Sequence, residues 1–473
     1  MEIKKPIAII GGGIAGLTAA DFLKRHNIPF VLYEGGKKIA GLASSFKDAE
    51  GFSYDFGAHF ITNRLAKAVG VDDDCRLVKH YGEAVWLNGK TYNYPFGLMQ
   101  IPRMTWSWFK GQVKGLGKRS KPTSAADWFR MRYGIALADE IAIPLLEAWS
   151  GAPGEKLSAS LGEGLFGGST FKTLYLKVAG VLTGRAVACG YNKEKPENHN
   201  VWHVYPNKGI STVCEKLAEG LEDSIKLESP VEAIIVENEK VVAIKVKGEV
   251  QEVSAVISTA PANILPKLIQ GTQVLEPAAR FRYRPMVFVN MRFEGRGLLP
   301  DTVMWFPERK FPFFRLTEAT LSMPWLAPEG KTIITVDIGC EKNDEYWNME
   351  EEKLAELCLE HLEVLIPDVR KRYLGGNVLK TPIAYPIFLS EYEKERQDFE
   401  KSTNVKNLLS VGRNGEFSHM FMEDVYWRTQ KKVKNLLDTM SAIARSNVPE
   451  IHIMEDKAEP LTEGLHKEEV AHV

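Results

Sequence analysis

The stretch Ile7–Glu34, IAIIGGGIAGLTAADFLKRHNIPFVLYE, decides the fold. Ile7 to Ile10 is a short continuous apolar run suited to a fully buried strand, and Gly11-Gly12-Gly13 cuts it off. Ile14 to His26 then places apolar residues at helical spacing, and Pro29 to Glu34 is rich in β-formers. Strand, turn, helix and strand in that order open a parallel βαβ unit. Gly11-x-Gly13-x-x-Gly16 falls on the strand-to-helix turn. Gly11 allows the tight turn, Gly13 lets the backbone approach a pyrophosphate, and Gly16 lets helix and strand pack closely. The helix opens at Ile14 and Ala15, whose N–H groups face the phosphates at the positive end of the dipole. Glu34, with Gly35 behind it, closes the second strand where a carboxylate accepts hydrogen bonds from a ribose. An acid there disfavours a 2′-phosphate, so the expected ligand is a dinucleotide other than NADP.

The rest of the composition sets bounds. A chain of 473 residues suggests two or three domains, and 44% hydrophobic with 26% charged residues is ordinary for a globular protein. Sixty Lys+Arg against 61 Asp+Glu give a net charge of -1, so no nucleic-acid partner is expected. Five scattered cysteines, without a CxxC pair, indicate neither a disulfide framework nor a metal site, and fit reduced thiols in a cytoplasm. No apolar run reaches the roughly 18 residues of a membrane span, and no leader-like cleavage site follows the glycines.

Farther along, Ser124 to Trp149 reads as a helix with Ser124 as N-cap, and Asn207 to Glu219 as a shorter one. Ile225 to Thr259 alternates apolar and polar residues, with breaks near Asn238 and Gly248, as hairpins followed by a buried strand. Arg284 to Cys340 is strand-rich. Glu350 to Leu365 and Glu423 to Ala444 are amphipathic helices, and the acidic stretch after Val448 reads as a mobile tail. A second G-x-G-x-x-G, Gly162 to Gly167, has no strand before it and no acid closing a later strand; it is rejected.

Beyond Glu34, Ile39-Ala40-Gly41-Leu42-Ala43-Ser44-Ser45 and Gly51-Phe52-Ser53-Tyr54-Asp55-Phe56-Gly57-Ala58-His59 extend the nucleotide signature. Farther on come Asn88-Gly89-Lys90, Tyr94-Pro95-Phe96, Trp149-Ser150-Gly151-Ala152-Pro153, Tyr205-Pro206-Asn207-Lys208-Gly209 and Val256-Ile257-Ser258-Thr259-Ala260-Pro261. Last is Val411-Gly412-Arg413-Asn414-Gly415-Glu416-Phe417-Ser418-His419-Met420-Phe421-Met422-Glu423-Asp424. In this order the segments resemble the superfamily of flavin amine oxidases, protoporphyrinogen oxidases and UDP-galactopyranose mutases. The resemblance implies FAD, held non-covalently. It puts Gly41, Leu42, Ala43, Gly57, Ala58 and His59 along the cofactor and the Val231 backbone at the adenine. Gly412 and Arg413 fall at the diphosphate, with the guanidinium as a fork. A helix opening at Met422, Glu423 and Asp424 has its N–H groups toward the flavin pyrimidine. Ala40 stands where the superfamily has a glycine, and Leu42 where amine oxidases have arginine.

The expected architecture is α/β. A Rossmann-like FAD-binding domain is assembled from residues 1–80, 200–262 and 400–445. A helical insertion spans 81–199, a mixed α+β substrate domain 263–399, and the tail 446–473. Flavin accepts hydride at its N5, so the candidate catalytic groups are those facing the ring: His59, His419 and Tyr385. The mutases carry tyrosines at Phe417 and His419 that serve a sugar-nucleotide substrate, which favours a different small substrate here, anionic, hydrophobic or lipid-linked. Three functions stay open: an FAD oxidase, dehydrogenase or desaturase; a redox-neutral isomerase like the mutases; and a non-catalytic carrier of the GDP-dissociation-inhibitor type. Residues 90–121 combine lysines and arginines with aromatics and no acid, making them a candidate contact for a peripheral membrane surface.

Overall fold

The computed structural model describes residues 5–94, 96–114, 121–166, 170–190 and 192–444. The expected tail lies outside the described residues, as do Pro95 and Gly167. The stretch Ile7–Glu34 forms the expected unit: strand Ile7–Ile10, helix Ile14–Arg25 and strand Phe30–Tyr33. These strands enter a five-stranded, fully parallel sheet in the order Ile225–Lys226, Phe30–Tyr33, Ile7–Ile10, Ala255–Ser258, Leu408–Ser410. The apolar run is continuous because both faces of the sheet are covered. Ile7, Ile9 and Ile257 pack into a core with the helix Ile14–Arg25, whereas Ala8, Ile10 and Val256 pack into a second core on the opposite face.

Val231–Glu237, Lys240–Val246 and Glu249–Glu252 form the expected antiparallel hairpins. Their tight connections need positive φ, supplied at Asn238, Glu239, Lys247 and Gly248.

A seven-stranded mixed sheet runs Tyr373–Ile387, Arg282–Glu294, Lys331–Gly339, Arg315–Glu318, Val303–Trp305, Glu83–Leu87, Lys90–Asn93. Helix Glu351–Leu362 covers it, burying Leu354, Cys358 and Leu362 against Val287, Val289 and Met291. Two strands of this sheet, Glu83–Leu87 and Lys90–Asn93, come from the segment read above as a helical insertion. The pairing of Glu83–Leu87 with Val303–Trp305 pulls them away from the helices, which begin after Asn93.

Ser124 caps its helix as expected, accepting from the Asp127 N–H, but the helix stops at Tyr133. Gly134 there has φ +81°, and a Cβ on it would lie 2.3 Å from the Ser107 carbonyl oxygen. The chain breaks so that helix Pro102–Lys114 can approach, and helix resumes through Ser150. The rejected glycine motif lies within the helix Ala159–Phe166 as far as Gly164, so those glycines form no phosphate loop. Among the described residues no helix is long and apolar enough to cross a membrane, and no group of metal-ligating side chains occurs.

Candidate active site

At the nucleotide end the three glycines are needed for measurable reasons. Gly11 has φ +99°, and a Cβ on it would lie 2.1 Å from Thr259 Oγ1; one on Gly16 would lie 1.9 Å from the Gly11 carbonyl oxygen. A Cβ on Gly13 would meet nothing nearer than the Ala40 carbonyl at 3.9 Å, so the backbone is open where a phosphate would approach. The helix starting at Ile14 and Ala15 has no side-chain cap and no acid in its first turn, which leaves its positive end uncompensated. Glu34 accepts from the Gly12 N–H and the Gly36 N–H, both at 2.7 Å. The backbone binds it to the hairpin sheet, since the Ser229 N–H donates to the Glu34 carbonyl. Gly35 faces Pro230, so Glu34, Gly35 and Val231 meet at one corner.

The loop after Glu34 closes over the glycines: the Ala40 N–H donates to the Gly12 carbonyl at 2.8 Å, and Ala43 is buried behind it. Gly41 follows at φ +54°, and Leu42 is half-buried. Ala40, which replaces the glycine of the resemblance, is itself left-handed at φ +85°. An L-residue there carries about 1 kcal/mol of strain. Ala40→Gly is therefore expected to raise the unfolding free energy by ~1 kcal/mol in denaturant melts; a loss of stability would contradict the left-handed turn.

The fingerprint around His59 is pinned by a polar network. Asp55 is buried and accepts from the Ser45 hydroxyl and the Tyr205 hydroxyl, each at 2.7 Å. The Ser211 N–H donates to Ser45 Oγ, which joins the Tyr205 segment and its helix to the same point. Burial pushes the Asp55 carboxyl up to about 6 against those two hydroxyls. Its folded value exceeds its unfolded one, so Asp55 favours the fold at low pH and that contribution fades as pH rises through about 6. The stability of Asp55→Asn relative to the parent should thus climb between pH 4 and 6, by ~2–3 kcal/mol, and stay level above. A pH-independent difference would show that the acid is ionised throughout.

His59, His419 and Tyr385, from three distant parts of the sequence, converge on Arg413. The Arg413 guanidinium carbon lies 5.9 Å from the Tyr385 ring centre, and its Nε donates to the Met420 carbonyl at 2.9 Å. Burial lowers its proton affinity, and no carboxylate pairs with it among the described residues. His419 is wedged between Trp149 and Phe388, with ring centres 4.7 Å away on either side, and its buried Nε2 has no hydrogen-bond partner. Trp149 also contacts Tyr385 at 5.0 Å. Burial, with Arg413 beside them, holds both imidazoles low: His59 at about 4 and His419 well below the ordinary value. Both are neutral at physiological pH. A cavity of about 200 Å³ opens beside His419, lined by Lys193, Phe388, Arg396, Asp424 and Arg428.

Two residues outside the sequence reading complete the site. Arg315 and Asp337 are register partners on adjacent strands and form a buried ion pair. Burial opposes both charges; Asp337 more than restores that of Arg315, while the Asp337 carboxyl stays raised. A Cβ on Gly57, at φ +80°, would lie 3.2 Å from Arg315 Nη2 and 3.0 Å from the Phe288 ring. The turn Gly57-Ala58-His59 therefore abuts the seven-stranded sheet. The only hint in the sequence was one acid inside the buried run Ile333–Ile338.

The last helix begins at Met422 as expected, but its two acids are engaged within the protein. Glu423 binds Arg64, the Thr62 hydroxyl and the Trp427 indole, and Asp424 accepts from the Lys193 and Glu194 N–H groups. Only backbone N–H groups of this turn are left for the role expected of it. Phe417, at φ +51°, is fully buried and stacks on Phe281 at 4.6 Å, so its position presents nothing to a ligand.

A parallel sheet with a glycine turn, a strand-end glutamate and a half-buried arginine facing aromatic and imidazole groups defines a protein of the dinucleotide-binding class. Residues 14–426 match the model of the flavin containing amine oxidoreductase family, and the chain belongs to that family. Coproporphyrinogen III oxidase of Bacillus subtilis (strain 168) is 23% identical over 414 residues, 76% of this chain and 83% of that one. Reduced UDP-galactopyranose mutase superposes with a TM-score of 0.75 at 18% identity, over 93% of this chain and 98% of the other. Cyclohexylamine oxidase from Brevibacterium oxydans IH-35A gives 0.67 at 13% identity, over 92% and 99%. The protein is a flavin-dependent oxidoreductase.

Proposed function

We propose that the chain binds FAD non-covalently in the cytoplasm and oxidises a small anionic or hydrophobic substrate between the two large sheets. The observation that carries this reading is Arg413, a half-buried cation without a carboxylate partner among the described residues, set among His59, His419 and Tyr385. The residues present fit the cofactor. Gly11 and Gly16 allow the tight turn and the close helix packing, Gly13 leaves the backbone open to a pyrophosphate, Glu34 beside Val231 suits the ribose and adenine end, and Arg413 supplies the fork for a phosphate. When bound, FAD supplies the two-electron acceptor for a substrate hydride. The chain's own part is to orient the substrate, exclude water with Trp149, Phe388 and Phe288, and take the second hydrogen as a proton. His59 and His419 are the groups set to take that proton; burial beside Arg413 makes both weak bases, so the proton passes on to solvent rather than resting on either imidazole.

The wholly packed Phe417 supports this over the mutase-like reading, because no hydroxyl is available there for a sugar nucleotide. The carrier reading has no use for the open glycine turn or for Arg413. The test is the flavin absorbance of the purified protein under anaerobic titration with porphyrinogens, amines, sugar nucleotides and polyprenyl lipids. Bleaching by one class identifies the substrate. Turnover of a sugar nucleotide only after dithionite reduction, with no bleaching by any class, would sink the oxidase reading.

A further inference from the structure

The helix Thr170–Thr183 carries an apolar stripe that points outward. Leu174, Val178, Val181 and Leu182 recur at the spacing of one helical face, and they are 47%, 49%, 84% and 81% exposed. Isolated exposed aliphatics are ordinary; four on one face are not. The buried side of the same helix is supplied by Leu176. Lys177 fixes the helix to its neighbours, donating to the Tyr94 carbonyl at 3.1 Å and lying 5.9 Å from the Phe96 ring. Phe96 opens the turn Phe96–Gln100, which leads into helix Pro102–Lys114, and this helix exposes Trp106 at 58% and Phe109 at 50%.

Charge narrows what can cover these residues. The whole chain has a net charge of -1, yet residues 84–126 and 164–193 contain no Asp or Glu. The first stretch carries Lys90, Arg103, Lys110, Lys114, Lys118, Arg119 and Lys121, and the second Lys172, Lys177, Arg185 and Lys193. Arg103 is paired with Glu140, whereas Lys110 sets its ammonium over the exposed Trp106 ring, 5.2 Å from its centre. A second copy of the same face would set cation against cation. A surface that is apolar beneath and negative above suits both features, as for helices lying in the plane of a membrane interface.

We propose that the exposed face of Leu174, Val178, Val181 and Leu182, together with the exposed Trp106 and Phe109 of the helix Pro102–Lys114, rests on a bilayer containing anionic lipid. The contact is peripheral, with the helix lying along the interface. It does not depend on the substrate assigned above. The test is sedimentation of the full-length holoprotein with vesicles of phosphatidylcholine alone or with about a third phosphatidylglycerol, at low and high salt. Affinity for the anionic vesicles is expected to be at least about tenfold higher and to fall with salt. Val181→Asp/Leu182→Asp should lower it by at least about tenfold with flavin content and melting point unchanged. Lys110→Glu/Lys172→Glu should abolish the preference for anionic lipid, an independent reading should the aspartate pair misfold. Failure to sediment with anionic vesicles, or equal sedimentation of both variants and the parent, would overturn the proposal. So would a dimer that the aspartate pair dissociates in a protein that binds no vesicle, which would give this face to a second copy.

Discussion

Arg413→Met should yield a protein that folds as well as the parent and has lost its flavin. The guanidinium is half-buried without a carboxylate partner among the described residues, so in the cofactor-free chain it is a desolvation cost. Methionine keeps much of its volume and removes that cost. In the loaded protein the same guanidinium would donate charge-assisted hydrogen bonds to a phosphate, each worth about 1.5–3 kcal/mol. The expected outcome is a rise of ~10²–10³-fold in the FAD dissociation constant, with denaturant stability of the apoprotein equal or higher. Arg413→Lys should recover little, because a point charge does not reproduce the fork. If Arg413→Met destabilised the apoprotein and left flavin affinity intact, Arg413 would be a structural residue.

Asp337→Ala should be the more damaging substitution for the fold itself. It leaves Arg315 buried with its countercharge gone, a situation that costs about 3–5 kcal/mol. Removing both members, as in Arg315→Met/Asp337→Leu, should restore most of that loss, because the pair's own desolvation disappears with it. Urea or guanidinium melts of the parent, the single variants Arg315→Met and Asp337→Leu, and the double variant measure the cycle. Arg315 also fills the space beside Gly57, so both single variants should loosen the turn that carries His59 and lower the flavin content. Additive losses in the double variant would mean that the two side chains do not act as a pair.

These two predictions show what can and cannot be read from a linear chain. Gly11, Gly13, Gly16 and Glu34 were legible because their roles are local: a turn, a close approach and a strand end within one βαβ unit. Arg413 was legible only through resemblance, since nothing in its neighbours' composition calls for an arginine. Arg315 and Asp337 were not, because an ion pair between strands exists only once register is set, and a single acid in an apolar run has many explanations. The helix Ser124–Trp149 was read too long because the reason for its break, the Ser107 carbonyl pressing on Gly134, lies on another helix. Glu423 and Asp424 sit at the right helix end, but their partners Arg64 and the Lys193–Glu194 backbone are remote in sequence.

That remoteness bears on how the protein is made. The first strand, Ile7–Ile10, needs Ala255–Ser258 on one side, and that strand needs Leu408–Ser410. Thr62 must wait for Glu423, 361 residues later. A ribosome therefore releases Ile7–Ile10 with its neighbour Phe30–Tyr33 long before the partner on its other side, Ala255–Ser258, is synthesised, and the sheet closes only near the end of translation. Until then Ile7, Ile9 and their neighbours must be shielded by chaperones or by transient collapse. Truncation before Leu408 would leave an open parallel edge prone to aggregation, and a chain interrupted late in synthesis could not retain the cofactor as a smaller functional fragment.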